Sequence, residues 1–341
     1  MVIDVLGRTI AIEAPASALD QLRRLLADLT VARTPVSELR LEPEGRRTLR
    51  LLEDGIVVRS EIPAVVGTAT VVWWLNSIAV TRAPHIIVHA ACVGDRGAVI
   101  LPGGSGAGKS TLAAACLSDG IAYLSDEYAA LDRHTGTIAP YPRPIELETG
   151  LVAASTLGAA VGRDSLAPAG IVFPRYARDG SSSMTCLEPR AIFLALVSHA
   201  TNLGRLRGDA VPWLAALSLA CPGWEATYHD ARDAVSLVRD LARRPGEVIE
   251  PAPVIGPITA TTTTVAIDED IAVFEATTGR VHLLNASAGL IWLSVPDLDL
   301  EPSRLVEVVV QRARSANIDH ATIKQTVQQF ATAGLLPKRR P

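Results

Sequence analysis

Residues 98–118 read AVILPGGSGAGKSTLAAACLS. An apolar run rich in β-branched residues leads into a glycine-rich stretch, which leads into a helix former. Across 103–110 the stretch fits G-x-x-x-x-G-K-[ST], in the strand–loop–helix setting that this motif needs. Gly103, Gly104, Gly106 and Gly108 let the backbone wrap closely, and Ser105 and Ala107 complete the loop. Its N–H groups and the N-terminus of the following helix, through Thr111, are suited to hold phosphates. Lys109 can reach the β- and γ-phosphates, and the Ser110 hydroxyl can ligate Mg²⁺. ATP or another nucleoside triphosphate is the expected ligand. Lys109, Lys324 and Lys338 are the only lysines in a chain rich in arginine. A lysine after the glycine loop therefore reads as chosen for its compact charge.

Outward from the loop, HIIVHAACV (85–93) and GAVILPG (97–103) read as a strand pair turned at GDRG. IAYLSDEYAAL (121–131) is a buried-strand pattern that carries Asp126 and Glu127. Acids at the end of the strand after a phosphate loop can hold Mg²⁺ or accept a proton; two solvated acids are the alternative. YAALDRHTGTIAPY predicts a hairpin, AIFLALVSHA (191–200) a further buried strand, and DARDAVSLVRDLARR a helix. Strands alternating with helices imply an α/β layer architecture. Before this region, SALDQLRRLLADL predicts a helix capped by Ser17. Asp54-Gly55 predicts a hairpin turn, and VVWWLNSIAVTRA a helix with Trp73 and Trp74 in the core. RRPGEVIEPAPVIGP (243–257), with four prolines and two glycines, predicts a linker.

The chain has 341 residues, 48% hydrophobic and 20% charged, enough for a sizeable core in about two domains. A net charge of −4 argues against a mainly nucleic-acid-binding protein or a polybasic membrane protein. Cys92, Cys116, Cys186 and Cys221 are widely spaced, which excludes a C-x-x-C metal or redox motif. The opening MVIDVLGRTIAIEAP predicts no signal peptide, and no apolar run of about 18 residues is read. No membrane partner and a cytoplasmic location are therefore expected. The N-K-x-D segment of guanine-specific switch proteins is missing.

HAACVGDRGAVILPGGSGAGKSTLAAACLSDGIAYLSDEYAAL resembles the core of the HPr kinase/phosphorylase superfamily, most of all the branch of lasso-peptide kinases. The carrying residues are His89 before the strand pair, the loop 103–110 and the acids Asp126 and Glu127. This chain departs from the family's Asp-Asp in having Glu127. The resemblance implies an α/β P-loop kinase core, phosphoenolpyruvate-carboxykinase-like in fold. It implies that Asp126 takes the acceptor proton, with Lys109 at the γ-phosphate and His89 orienting the acids or touching phosphate. His89 as an ordinary core histidine is the alternative. IELETG (145–150) is similar to the family's L-E-x-R-G, which implies Glu148 beside Glu127 and Ser110 as metal-side residues. Arg143 and Arg175, in proline-bounded loops, are either phosphate contacts or solvated arginines. Phosphorylase activity is not implied. The family forms oligomers, so a homo-oligomer stays open.

TTVAIDEDIAVFEATTGRVHLLN predicts three short strands, and three helical segments follow to Gly334. Asn285 can cap the first of these helices. VHLLNASAGLIW (281–292) and the closing Gly334-Leu335-Leu336 resemble the PqqD-like domain, the RiPP recognition element. That resemblance implies a winged helix-turn-helix that captures the leader of a precursor peptide. An exposed strand edge can do this by strand addition. The expected groove is Arg280, Val281, His282 and Leu283 with Ile323, Val327 and Phe330, while Leu284 and Trp292 are core. DNA binding is the alternative, but the helices here are only modestly basic.

The expected organisation is an N-terminal α+β segment at 1–83, the kinase domain at 84–244, a linker at 245–259 and the recognition domain at 260–337. Joined, the halves imply an ATP- and Mg²⁺-dependent kinase for a Ser or Thr hydroxyl of a leader-tethered peptide. A kinase of a small molecule such as free serine, and a nucleotide-gated adaptor without catalysis, are the alternatives.

Overall fold

The computed structural model describes residues 1–147, 150–158, 160–255, 262–295, 302–312 and 318–336. Glu148, the end of the expected linker from 256 and residue 337 lie outside the described residues. The first elements are β1 (Val2–Val5), β2 (Arg8–Glu13), α1 (Ala16–Leu25), β3 (Ser37–Pro43), β4 (Thr48–Glu53), β5 (Ile56–Pro63) and α2 (Gly67–Arg82). The central ones are β6 (Ile86–Gly94), β7 (Ala98–Pro102), α3 (Lys109–Ser118), β8 (Tyr123–Ser125), β9 (Tyr128–Leu131), β10 (Ile138–Ala139), β11 (Ile145–Leu147), β12 (Gly150–Val152), β13 (Pro168–Tyr176) and β14 (Ser183–Leu187). Then come α4 (Pro189–His199), α5 (Leu203–Leu206), α6 (Val211–Ala220), β15 (Gly223–Tyr228) and α7 (Arg232–Ala242). The last are β16 (Thr262–Ile267), β17 (Asp270–Glu275), β18 (Arg280–Leu284), α8 (Ala286–Leu293), α9 (Pro302–Arg312) and α10 (His320–Ala333).

Contacts divide the chain into two compact units. The first holds Met1–Leu187, His199–Asn202 and Cys221–Ile249; the second holds Glu188–Ser198, Leu203–Ala220 and Glu250–Pro341. This differs from the expected boundaries at 83/84 and 244/245. The N-terminal segment shares a core with the strands beyond residue 84, since Ile87, Ala130 and Tyr141 pack among Leu22, Leu39 and Leu75. Helices α4–α6 go with the C-terminal strands. Gly208 there lies so close to Thr263 that a Cβ would meet its Oγ1 at 1.8 Å.

In the first unit, β1–β5 form one sheet, with α1 and α2 contributing to its core. The Asp54-Gly55 turn has positive φ at both residues, as a tight hairpin requires. α1 starts at Ala16, two residues before the start that a Ser17 cap would give; Pro15 holds the N-cap position without a side-chain cap bond. The segment 64–82 is long and apolar enough to cross a membrane, contrary to the reading that no such run exists. Val71, Leu75 and Ile78 of this segment are buried in the sheet's core. Trp73 is not core: it is 54% exposed, with the Arg59 guanidinium 5.6 Å from its ring centroid.

An eight-stranded sheet comes next, in the order β10-β9-β6-β7-β13-β15-β14, with β8 also on β6. β7, β13 and β15 are parallel, and α3 and α7 share a core cluster with them. The stretch 245–249 is no free tether: Glu247 N–H donates to Pro168 O at 3.2 Å and Ile249 N–H to Gly136 O at 3.0 Å. Ile249 itself is buried.

In the second unit, AIFLALVSHA is helix α4 rather than a strand. Ile192, Phe193 and Leu196 are buried while Leu194 is exposed, a helical period that a continuous apolar run conceals. β16, β17 and β18 form a three-stranded sheet with β17 central, and α8, α9 and α10 share its core. The Asn285 side chain caps α8 by accepting from Ala288 N–H at 2.9 Å. Gly334 ends α10 at φ +82°. Ile323, Val327 and Phe330 face inward, and Phe330 meets Trp292 edge-on at 5.5 Å. They are core rather than groove, so Phe330→Ala should destabilise this unit by about 3–5 kcal/mol in urea unfolding. Gln328→Ala, on the exposed side of the same helix, should change stability by less than about 0.5 kcal/mol.

Candidate phosphate-binding and acid–base site

β7 (AVILP) is buried along its whole length and delivers the chain to the glycine loop. Gly106 at φ +78° and Gly108 at φ +99° make the turn into α3. A Cβ on Gly108 would also meet the Tyr228 hydroxyl at 2.6 Å. That hydroxyl donates to Gly108 O at 3.1 Å and pins the loop to β15. Lys109 is 8% exposed and donates from Nζ to Gly104 O at 3.0 Å. Burial pushes its pKa down, against the pull of Glu127 and Asp126.

The two acids lie where the β8–β9 path breaks. β6 pairs with β8 through Cys92↔Ser125 and with β9 through His89↔Tyr128. Asp126 and Glu127 fall between, so neighbouring side chains escape the strict alternation of a strand. Asp126 is 2% exposed. Its Oδ2 accepts the Ser110 hydroxyl at 3.2 Å and faces Glu146 N–H at 3.5 Å. Burial raises its pKa, opposed by the Ser110 bond and by Arg143. Its Oδ1 is buried with no hydrogen-bond partner. A hard oxygen donor without a partner, beside the loop serine, fits a Mg²⁺ ion.

Glu127 is held differently. Its Oε2 accepts from Arg143 Nη1 at 2.7 Å, and its Oε1 lies 3.3 Å from His89 Nε2. The His89 hydrogen bond, then Arg143 and Lys109, hold its carboxyl below the usual range despite part-burial. Arg143 is 4% exposed, and burial opposes the charge that Glu127 stabilises. Its carbonyl accepts the Tyr123 hydroxyl at 2.8 Å. It serves Glu127 rather than reaching out of a loop.

These groups meet at a cavity of about 590 Å³, lined by His89, Ser105, Gly106, Gly108, Lys109, Ser110, Thr111 and Glu127. Glu146, Tyr176, Tyr228, His229 and Ala231 complete its lining and were not read from the sequence. Gly103, Gly104 and Ala107 sit in the loop backbone, where Ala107 N–H donates to Gly104 O at 3.3 Å. Arg175 does not line the cavity. It is exposed and lies 3.7 Å from Glu225. Register explains this: Tyr176↔Tyr228 are strand partners on the loop side, so Arg175 points to the other face.

In the second unit, β18 pairs on one side with β17, and among the described residues its other edge is unpaired. The far edge, β16, is met by Val254 and Ile255. Arg280 is exposed, and Val281, His282 and Leu283 are half-buried along the open edge. The polar side of α10, with Lys324, Gln325, Gln328 and Gln329, borders a hollow of about 680 Å³.

No family model matches the chain, and no curated protein matches it. Two solved structures are similar to parts of it. The Hpr(Ser) kinase/phosphatase from Coxiella burnetii is 13% identical over 46% of this chain and 93% of its own, with a TM-score of 0.27. TbiB1 in complex with the TbiA(beta) leader peptide is 19% identical over 25% of this chain and 98% of its own, with a TM-score of 0.19. At such TM-scores neither similarity bears on the chemistry of this chain, which its own residues must carry.

Glu127 has a folded pKa below its ordinary 4.5, so its pairing stabilises the fold above that pH and is lost as pH falls through the folded value. In Arg143→Met the carboxyl resonance of Glu127 should titrate higher than in the parent protein, followed by carbon-13 NMR. An unmoved titration would mean that Arg143 does not govern this acid.

Proposed function

We propose that the chain is an ATP- and Mg²⁺-dependent phosphotransferase that acts on a Ser or Thr hydroxyl of a bound peptide. One observation carries the reading. A glycine loop with Lys109 shares a cavity with Glu127, an acid that His89 and Arg143 keep ionised and oriented. Phosphoryl transfer asks for little beyond positioning and charge stabilisation, and these residues supply both.

This reading assigns the two acids differently from the resemblance. Asp126 is bound to Ser110 and shut away from the cavity, which suits a metal-side residue rather than the proton acceptor. Glu127 lines the cavity and suits the acceptor role. In the step, the oxygen of the acceptor hydroxyl bonds to the γ-phosphorus as the bond to the β-phosphate oxygen breaks. The hydroxyl proton passes to Glu127, and ADP leaves. A weakly basic carboxylate suffices, because the proton becomes acidic only as the new P–O bond forms. Lys109 and the loop N–H groups hold the transferred group. Mg²⁺, held by Ser110 and Asp126, would neutralise charge on the β- and γ-phosphates.

A peptide acceptor is supported by the open edge of β18, a surface that extended chains can extend by main-chain hydrogen bonds. The winged helix-turn-helix reading and a leader peptide as the partner rest on that edge and on the resemblance of 281–292. Groove residues under this proposal are Arg280–Leu283 with the polar side of α10.

Intact-mass analysis tests the reading, with ATP, Mg²⁺ and the peptide of the nearest small open reading frame. One added phosphate is expected, lost in Lys109→Ala and added more slowly in Val281→Pro, which removes a backbone donor from β18. Glu127→Gln should lower kcat by about 100- to 10,000-fold while leaving ATP affinity intact. Asp126→Asn should instead raise the Mg²⁺ concentration needed for half-maximal rate. ADP release with free serine but no peptide phosphorylation would move the assignment to a small-molecule kinase. Peptide binding without turnover would move it to an adaptor.

A further inference from the structure

Tyr176 and His229 are the part of the cavity that phosphoryl transfer leaves unused. We propose that they form a stacking platform for the base of a purine nucleotide whose phosphates occupy the glycine loop; this rests on the loop being a nucleotide site. The cavity lining joins two unlike groups: the loop with Lys109 and Ser110, suited to a polyanion, and the rings of Tyr176 and His229. A ligand with a polyphosphate at one end and a flat aromatic ring at the other fits both. A volume of about 590 Å³ lies within the range of small-molecule sites, about 300–1,000 Å³.

Position supports the assignment. β13 and β15 run parallel to β7, which enters the loop, so Tyr176 and Tyr228 stand at the carboxyl ends of strands, where open α/β sheets bind ligands. As register partners they face the same side. Tyr228 fixes that side by its bond to Gly108 O. Tyr176 thus lies about one strand spacing, roughly 5 Å, from the residue that touches the loop.

The pair is also held in place before any ligand arrives. The Tyr176 and His229 rings stack at 5.8 Å between centroids and 24° between planes. His229 Nδ1 lies 3.0 Å from Ala177 O, so it carries the proton and donates. Ala177 N–H in turn donates to Tyr228 O at 2.7 Å, locking the two strand ends together. Yet Tyr176 is 47% exposed. A large ring that is fixed but uncovered offers stacking area at little ordering cost. Purines, with the larger π-surface, gain more from it than pyrimidines.

Titration calorimetry on the full chain with Mg²⁺ tests this, using ATP, CTP and inorganic tripolyphosphate. The parent protein should bind ATP more tightly than CTP. Tyr176→Ala should weaken ATP about tenfold or more and leave tripolyphosphate unchanged, with Tyr176→Phe close to the parent. His229→Ala should weaken ATP in the same selective way. Unchanged ATP affinity in both alanine variants would overturn the platform while leaving the nucleotide reading standing. Equal losses for ATP and tripolyphosphate would overturn it too, because the ring would then only support the loop. If the parent binds neither ATP nor tripolyphosphate, the nucleotide reading fails and takes the platform with it.

Discussion

Strand β6 pairs with three others, and the site depends on that. It holds β7 on one side, and β7 ends in the glycine loop. On the other side it holds β8 and β9 as two pieces of one interrupted path. The hydrogen bonds to β6 set how far the chain advances before and after the break. That distance brings Asp126 under Ser110 and Glu127 beside His89, which β6 itself carries. A one-residue slip in either piece would move each acid to the other side of the sheet.

The two acids show how unequal surroundings divide labour. Asp126 is sealed in with a hydroxyl and a weak amide contact, so its charge is disfavoured until a cation arrives. Glu127 is half-buried but faces Arg143, His89 and Lys109, so its charge is favoured at once. Adjacent in the chain, they are pushed in opposite directions by burial against pairing. Pairs of acids pushed apart in this way are suited to unlike tasks. Arg143 is the hidden support of this arrangement. Its own burial is costly, and the pairing with Glu127 offsets it.

The C-terminal unit solves a different problem. Three strands and three helices enclose a small core around Trp292, whose indole N–H donates to Thr264 Oγ1 at 3.0 Å. Inward-facing Phe330, Val327 and Ile323 bind α10 to that core, so they are not available to a ligand. Residues 254 and 255 meet β16, which leaves β18 as the open edge among the described residues. Main-chain groups of that edge are unpaired among the described residues, with the polar side of α10 exposed in the same unit.

The sequence by itself determined the features whose chemistry lies within a few consecutive residues. The loop 103–110 is one, because its glycines, lysine and serine fall within eight consecutive residues. The Asp54-Gly55 turn, the Asn285 cap and the Gly334 stop are others, each a local backbone demand met by a local residue. Only the tertiary structure decided which side of a strand a residue faces and how deeply it is buried. Arg175 is a candidate phosphate contact in the sequence until the Tyr176↔Tyr228 register turns its neighbour toward the loop and Arg175 away. Asp126 and Glu127 differ in surroundings because Ser110 binds the one and Arg143 pairs with the other. Helix α4 hid as a strand because a continuous apolar run has no period of its own until neighbours cover one face. In each case the deciding partner is distant in sequence, and pairing across that distance is what a linear pattern does not encode.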